Sequence, residues 1–179
     1  MIELKYFEKT DFQQLINLID SREFLLQWSG NTFKYPLTKE QLEKYIKDAN
    51  YESSNKLVFK IRNKNINKTI GHIAILNIDK NNRVARIGAV LIGDEEFRGK
   101  GFGQKAIKEV LKVVFNDLNL HKASLGVFDF NKSALKCYEN IGFKKDGLIR
   151  DSLKNGNEYW NLWEMSILEE EWKQINKEG

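Results

Sequence analysis

Leu91-Ile92-Gly93-Asp94-Glu95-Glu96-Phe97-Arg98-Gly99-Lys100-Gly101-Phe102-Gly103 is the stretch on which the fold of this chain turns. It leaves an apolar, buried-looking run, crosses an acidic turn and enters a glycine-rich loop. From Gly103 onward, Ala106, Ile107, Val110, Leu111 and Val114 recur at helical spacing, an apolar stripe of the kind that packs on a sheet. Glycines just before a helix let backbone amides approach an anion with no side chain between them. The first helical turn adds unpaired N–H donors and a partial positive charge, and Lys100 and Lys105 supplement that field. A dinucleotide-binding loop would have to follow the first strand of a βαβ unit, with an acid about 20 residues on. An ATP-binding loop needs Lys-Ser/Thr after a longer spacer, but Gly103 is followed by Gln104. A flexible loop that only caps a helix remains an alternative on this segment alone.

Upstream, Ile2, Leu4 and Tyr6 alternate with polar residues as in a short strand. Thr10 with Gln13, and Thr38 with Gln41, read as capping boxes opening two helices, one with Phe12, Leu15, Ile16 and Ile19 and one with Leu42, Tyr45, Ile46 and Ala49 on its apolar face. The aromatic-rich segment Trp28–Tyr35 between them reads as irregular. Leu57–Arg62, Thr69–Ile78 and Arg83–Ile92 then form an antiparallel meander with turns at Asn63–Lys68 and Lys80–Asn82. Downstream come a strand at Lys122–Val127, a helix at Asn131–Ile141, and a hairpin of Phe143–Leu153 with Glu158–Leu168 around Asn155-Gly156. The fold class expected is α/β (α+β): one domain over residues 1–179, with a mixed, mostly antiparallel sheet of about seven strands and helices on both faces.

The bulk properties narrow the function classes. At 179 residues, 41% hydrophobic and 30% charged, the chain can bury a full core and is not disordered. The net charge of +4 comes from lysines spread along the whole chain, so the reading is a solvated surface and no nucleic-acid partner. Cys137, the single cysteine, excludes an internal disulfide, and with no leader or spanning apolar run the expectation is a cytoplasmic protein without membrane contact. No residue pattern suggests a metal.

A second motif lies one strand and one helix beyond the loop: Asn131-Lys132-Ser133-Ala134-Leu135-Lys136-Cys137-Tyr138-Glu139-Asn140-Ile141-Gly142-Phe143. Together with Arg98-x-x-Gly101-x-Gly103 at this separation, it resembles the GNAT superfamily of N-acetyltransferases over about Leu57 to Leu168. The resemblance implies acetyl-CoA as co-substrate. Main chain of Val90, Leu91 and Ile92 would pair with the pantetheine arm, and Arg98 and Lys100, Gly101, Phe102, Gly103 and Gln104 would contact the pyrophosphate region. Asn131 would hydrogen-bond the pantetheine region. The strands flanking the long helix would splay to leave a slot for the thioester, and Tyr138 would protonate the departing thiolate. A phenol near pKa 10 is a sensible donor toward a thiolate whose acid lies near 8.5. Periodicity alone would make Tyr138 a core aromatic, since it shares a stripe with Ala134 and Ile141. Direct attack by the amine is the family route; a covalent intermediate on Cys137 is disfavoured because no histidine accompanies it in the motif.

Many relatives have Glu-Ile-Gly at the start of the strand before the loop. Here Arg86-Ile87-Gly88 stand in its place, so that carboxylate is missing. Glu95 and Glu96 read as solvated and His72 as a satisfied sheet residue, with a water relay as open an option. The C-terminal stretch from Ile149 to Trp172, and Asn119–Lys122, resemble the bacterial Rim-type group of ribosomal-protein N-terminal and spermidine acetyltransferases, with Asn161 a departure. The expected acceptor is a protein or peptide α-amine or a small primary amine, with spermidine as rival. A non-catalytic acyl-CoA sensor and a nucleic-acid-binding domain are the alternatives of other classes. Trp28–Tyr35 and Tyr159–Trp163 are candidates for the acceptor side or for core or dimer packing, in a monomer or homodimer.

Overall fold

The computed structural model describes residues 1–93 and 95–177. Seven strands, β1 (Ile2–Tyr6), β2 (Leu57–Asn63), β3 (Lys68–Asp79), β4 (Val84–Ile92), β5 (Lys122–Phe128), β6 (Lys144–Asn155) and β7 (Glu158–Leu168), form one sheet in the order β1-β2-β3-β4-β5-β7-β6. Every neighbouring pair is antiparallel except β4 with β5. The expected meander and hairpin are therefore present, the latter turning at Gly156 with φ 61°.

Helices cover both faces. On one, α4 (Phe102–Lys112) and α5 (Lys132–Ile141) pack against the sheet. The stripe Ala106, Ile107, Val110, Leu111 and Val114 is fully buried there. Ile107, Val110, Leu111 and Val114 each contribute about 1.5–3 kcal/mol relative to exposure, so this helix is anchored by packing. It continues through a π-helical turn at Val113–Asp117. On the other face, α1 (Phe12–Asn17), α2 (Arg22–Ser29) and α3 (Lys39–Ile46) enclose a second core around Phe7, Leu25, Trp28, Phe33, Leu42, Tyr45, Val58 and Ala74.

Three local readings are corrected. The chain enters the first helix through a 3-10 turn, Lys9–Asp11, closed by a box between Glu8 and Asp11, whose carboxylate accepts from the Glu8 amide at 2.9 Å, and not through a box of Thr10 and Gln13; the helix ends at Asn17, before Ile19. At α3, Thr38 does cap, accepting from the Gln41 amide at 3.3 Å, but the Gln41 side chain turns to Lys34 and Pro36 and stitches the preceding loop instead. Two helices went unread: α2, capped by Ser21 accepting from the Phe24 amide, and α6 (Glu169–Lys177), whose Trp172 is buried.

The parallel seam positions the site. β4 and β5 pair at only three places, Val84 with Lys122, Ala85 with Ala123 and Arg86 with Ser124. Beyond Arg86 the two strands part, and the gap between Ile87–Ile92 and Leu125–Phe128 is the expected slot.

Candidate active site

The gap is the middle of three connected clefts. The slot itself, about 320 Å³, runs between Ile87–Ile92 of β4 and Leu125–Phe128 of β5, closed by Phe24, Gln27 and Trp28 from α2. It shares Val90, Ile92, Arg98, Asn131, Ala134 and Tyr138 with an outer cleft of about 530 Å³ between the α4 N-terminus and α5. On the opposite side it shares Gln27, Trp28, Gly88, Ala89, Gly126 and Phe128 with a cleft of about 260 Å³ that also reaches Tyr45, Arg86, Leu153 and Leu162.

The glycine loop shapes the outer cleft. Gly101 occupies the N-cap of α4 at φ 78°, a left-handed conformation that other residues adopt only with strain, and among the described residues no side chain caps the helix there. Nothing lies within 4 Å of where its Cβ would be, so the backbone conformation, not space, calls for glycine. The first-turn amides are therefore left to an anion in the cleft. Of the residues expected to contact the cofactor, Val90, Ile92, Arg98, Gly101, Gly103, Gln104 and Asn131 line this cleft, and Leu91 lines the slot. Lys100 and Phe102 line neither. Lys100 is exposed, and Phe102 meets the Phe97 ring edge-on at 5.2 Å. Arg98 also braces the loop, donating from Nε and Nη2 to the carbonyls of Ile92 and Gly93 at 3.0 Å. Asn131 caps α5: its Oδ1 accepts from the Ala134 amide at 3.1 Å, which leaves the amide Nδ2 as the group to donate into the cleft.

Tyr138 stands where the outer cleft meets the slot. It is buried on α5, and burial, followed by the neighbouring Cys137, pushes its phenol well above the usual value, so it stays protonated. Burial likewise raises the Cys137 thiol, which keeps it an unreactive thiol.

Among the described residues that line the slot and the inner cleft there is no carboxylate. Arg86 reaches across β5 to Glu164 on β7, donating from Nη1 and Nη2 to the two carboxylate oxygens. Gly126 makes the crossing possible, since a Cβ there would lie 2.5 Å from Nη2 of Arg86. Glu96 is exposed, as expected; Asp94 and the side chain of Glu95 lie outside the described residues. His72 lines neither cleft. Its Nδ1 meets the Ala89 carbonyl at 3.0 Å, and burial lowers its pKa to about 4, against smaller opposing effects of that bond and of Asp11. Its Nε2, like Trp28 Nε1 and Tyr45 Oη, is buried without a partner among the described residues, so the expected satisfied imidazole is only half satisfied.

The residues that sequence reasoning missed here are Phe24 and Gln27 of α2, which fall just short of the expected Trp28–Tyr35 segment. Ser21 with its cap, and the run Phe24, Leu25, Leu26 and Trp28, were the available signal. Of Trp28–Tyr35, Trp28, Ser29, Gly30 and Thr32 line the inner cleft while Phe33 is core. Of Tyr159–Trp163, Leu162 lines it, and Trp160 packs on Phe128 and Phe130. Among the described residues no group of His, Cys, Asp and Glu is placed to hold a metal, and no helix is long and apolar enough to cross a membrane.

The chain is similar to known proteins over most of its length. The family model described as "Acetyltransferase (GNAT) domain" matches residues 2–144. The chain is 29% identical to a spermidine N(1)-acetyltransferase of Vibrio cholerae over 94% of its own length and 93% of the relative's. It is 31% identical to a putative ribosomal N-acetyltransferase, YdaF, of Bacillus subtilis, over 58% of this chain and 55% of that one. A crystal structure of a Vibrio cholerae spermidine N-acetyltransferase in complex with CoA and spermine superposes with TM-score 0.82 at 25% identity, covering 96% of this chain and 98% of that one.

Proposed function

This chain belongs to the acetyltransferase (GNAT) domain family, and from that premise we propose that it transfers the acetyl group of acetyl-CoA directly to a primary amine, with Tyr138 as general acid. The observation that supports this best is the continuity of the clefts: an uncapped helix N-terminus, a slot between parted strands, and Tyr138 at their junction. Acetyl-CoA fits it. The amides at Phe102, Gly103 and Gln104 would hold the pyrophosphate, the free edge of β4 at Val90–Ile92 would pair with the pantetheine arm, and Asn131 would donate to that arm. When bound, the co-substrate supplies the activated acyl group. The amine, entering from the inner cleft, forms the new N–C bond as the C–S bond breaks. It gives up its proton to water, and Tyr138 hands its own to the leaving sulfur. The burial that raises the phenol would raise a departing thiol held beside it as well, which keeps the two matched.

The acceptor side favours an amine of low charge. Arg86, paired to Glu164, is the charged side chain lining the inner cleft, and no carboxylate among the described residues is there to receive a polyamine's further ammonium groups. An α-amine, about a tenth neutral at pH 7, also needs less help than a lysine-type amine from a site whose described lining residues include no carboxylate or histidine. Hence a peptide N-terminus or a small α-amine is the first reading. Spermidine is the second, favoured by the relatives' activity. Thiol release from acetyl-CoA, assayed against peptides with free N-termini, spermidine, lysine and aminoglycosides, tests both. Saturable turnover on peptides supports the first and turnover confined to spermidine the second. Absence of both turnover and acetyl-CoA binding sinks the assignment.

A further inference from the structure

We propose that His72 is a positioning residue for acetyl transfer: its Nδ1–H holds the Ala89 carbonyl and thereby fixes the bulge that presents β4 to the pantetheine arm. The inference rests on reading the slot as the acetyl-CoA site.

The register between β3 and β4 shows the bulge. His72 faces Leu91 and Ala74 faces Gly88, so one residue of β3 opposes two of β4, Ala89 and Val90. Ala89 sits at φ 49°, a left-handed conformation uncommon for a residue with a Cβ, and one that surroundings must impose. An extra residue in a bulge leaves the ladder locally without partners. Here the partner comes from a side chain: the His72 imidazole, 1% exposed, lies 3.0 Å from the Ala89 carbonyl. Because the carbonyl can only accept, Nδ1 holds the proton.

Nothing else about His72's place suits an imidazole. Phe7 and Trp28 meet it edge-on at ring distances of 4.9 and 5.4 Å, Tyr45 lies at 5.9 Å, and Nε2 has no partner. An apolar ring would fill this core without stranding a polar atom. The bond to Ala89 is what the histidine adds. Gly71 beside it tightens the contact: a Cβ there would lie 2.1 Å from the Leu91 carbonyl, so β3 and β4 approach at a distance that admits no side chain. Loss of the anchor would let Ala89 relax to ordinary strand geometry. The following residues would then slip by one, and a one-residue slip turns every side chain and peptide group to the other face. Val90, which lines both slot and outer cleft, would leave them.

The test separates this role from plain packing. Calorimetric affinities for CoA and for 3′-phospho-ADP, which lacks the pantetheine arm, would be measured for the parent, His72→Leu, His72→Asn and His72→Gln. His72→Leu is expected to weaken CoA about tenfold and leave 3′-phospho-ADP within twofold. His72→Asn, whose amide N–H takes the Nδ1 place, is expected to bind CoA about as the parent does, and His72→Gln, whose amide falls at Nε2, to resemble Leu. Equal losses for both ligands, or equal CoA affinity in Asn and Gln variants, would overturn the proposal. The Asn–Gln pair decides if the Leu variant does not fold. A parent that binds neither ligand would remove the reading of the slot itself.

Discussion

The two ends of the channel are built from different materials. The outer end is mostly backbone: an uncapped helix start, a glycine turn, a strand edge. The inner end is mostly side chains, gathered from α2, α3, β4, β5, β6 and β7: Trp28, Tyr45, Arg86, Phe128, Leu153 and Leu162. Backbone sites need particular φ angles and uncapped amides, and short glycine-rich stretches specify both. Side-chain sites need residues far apart in sequence to converge, and nothing local announces that. The outer end is therefore a general holder for one ligand, and the inner end is where an acceptor is chosen.

That division can be broken at the junction first. Tyr138→Phe is expected to lower kcat by about 10²–10³-fold, within the range for loss of a general acid. Acetyl-CoA affinity should change less than twofold; unchanged kcat would take Tyr138 out of the chemistry. Steady-state kinetics alongside calorimetry reads both.

Next in size is the pH dependence set by His72. Its folded pKa of about 4 lies below the ordinary value of 6.5. Between those values the unfolded chain binds a proton that the folded chain does not, so stability rises with pH across this window. The contribution is complete above pH 6.5 and is lost as pH falls toward 4. At 1.36 kcal/mol per unit the full swing is about 3 kcal/mol. Urea melts of the parent and His72→Leu from pH 7 to pH 4 should show this extra slope only in the parent; parallel curves would contradict it.

At the outer end, Gly101→Val forces a β-branched residue into the left-handed N-cap. A cost of about 1–2 kcal/mol predicts roughly tenfold weaker CoA binding with the acceptor KM little changed. Equal affinity would show that the loop does not hold the ligand. The smallest effect is expected at the inner end. Gly126→Ala pushes a methyl against Arg86 and Leu162 and should disturb the Arg86–Glu164 pair. The acceptor KM should move by about three- to tenfold while the acetyl-CoA KM stays put. The reverse pattern would dissolve the distinction between the two ends.

Much of the outer end was legible. Gly99, Gly101 and Gly103 before an apolar stripe located the loop and α4, and Asn131 through Tyr138 located α5, because each rests on local chemistry. The meander and the Asn155-Gly156 hairpin were legible for the same reason. The bulge was not: Ala89 gives no signal of positive φ, which β3 imposes from 17 residues away through His72. Nor was α2, whose Ser21 cap was visible but whose Phe24 and Gln27 gain meaning only once β4 and β5 part beneath them. The Glu8–Asp11 box was passed over because the Thr10–Gln13 spacing imitates one, and the Arg86–Glu164 pair joins residues 78 apart.

The three-pair seam between β4 and β5 gives the sheet an unusual mechanical character. It is two sheets, β1–β4 and β5–β7, welded at one corner and otherwise open along the join. Past the weld, the edge that each strand turns toward the gap has no ladder partner, so a bound extended molecule would serve as an eighth, removable strand. Ligand occupancy would then register as rigidity: amides of Ile87–Ile92 and Leu125–Phe128 that face the gap should trade hydrogen for deuterium freely when it is vacant and slowly when it is filled.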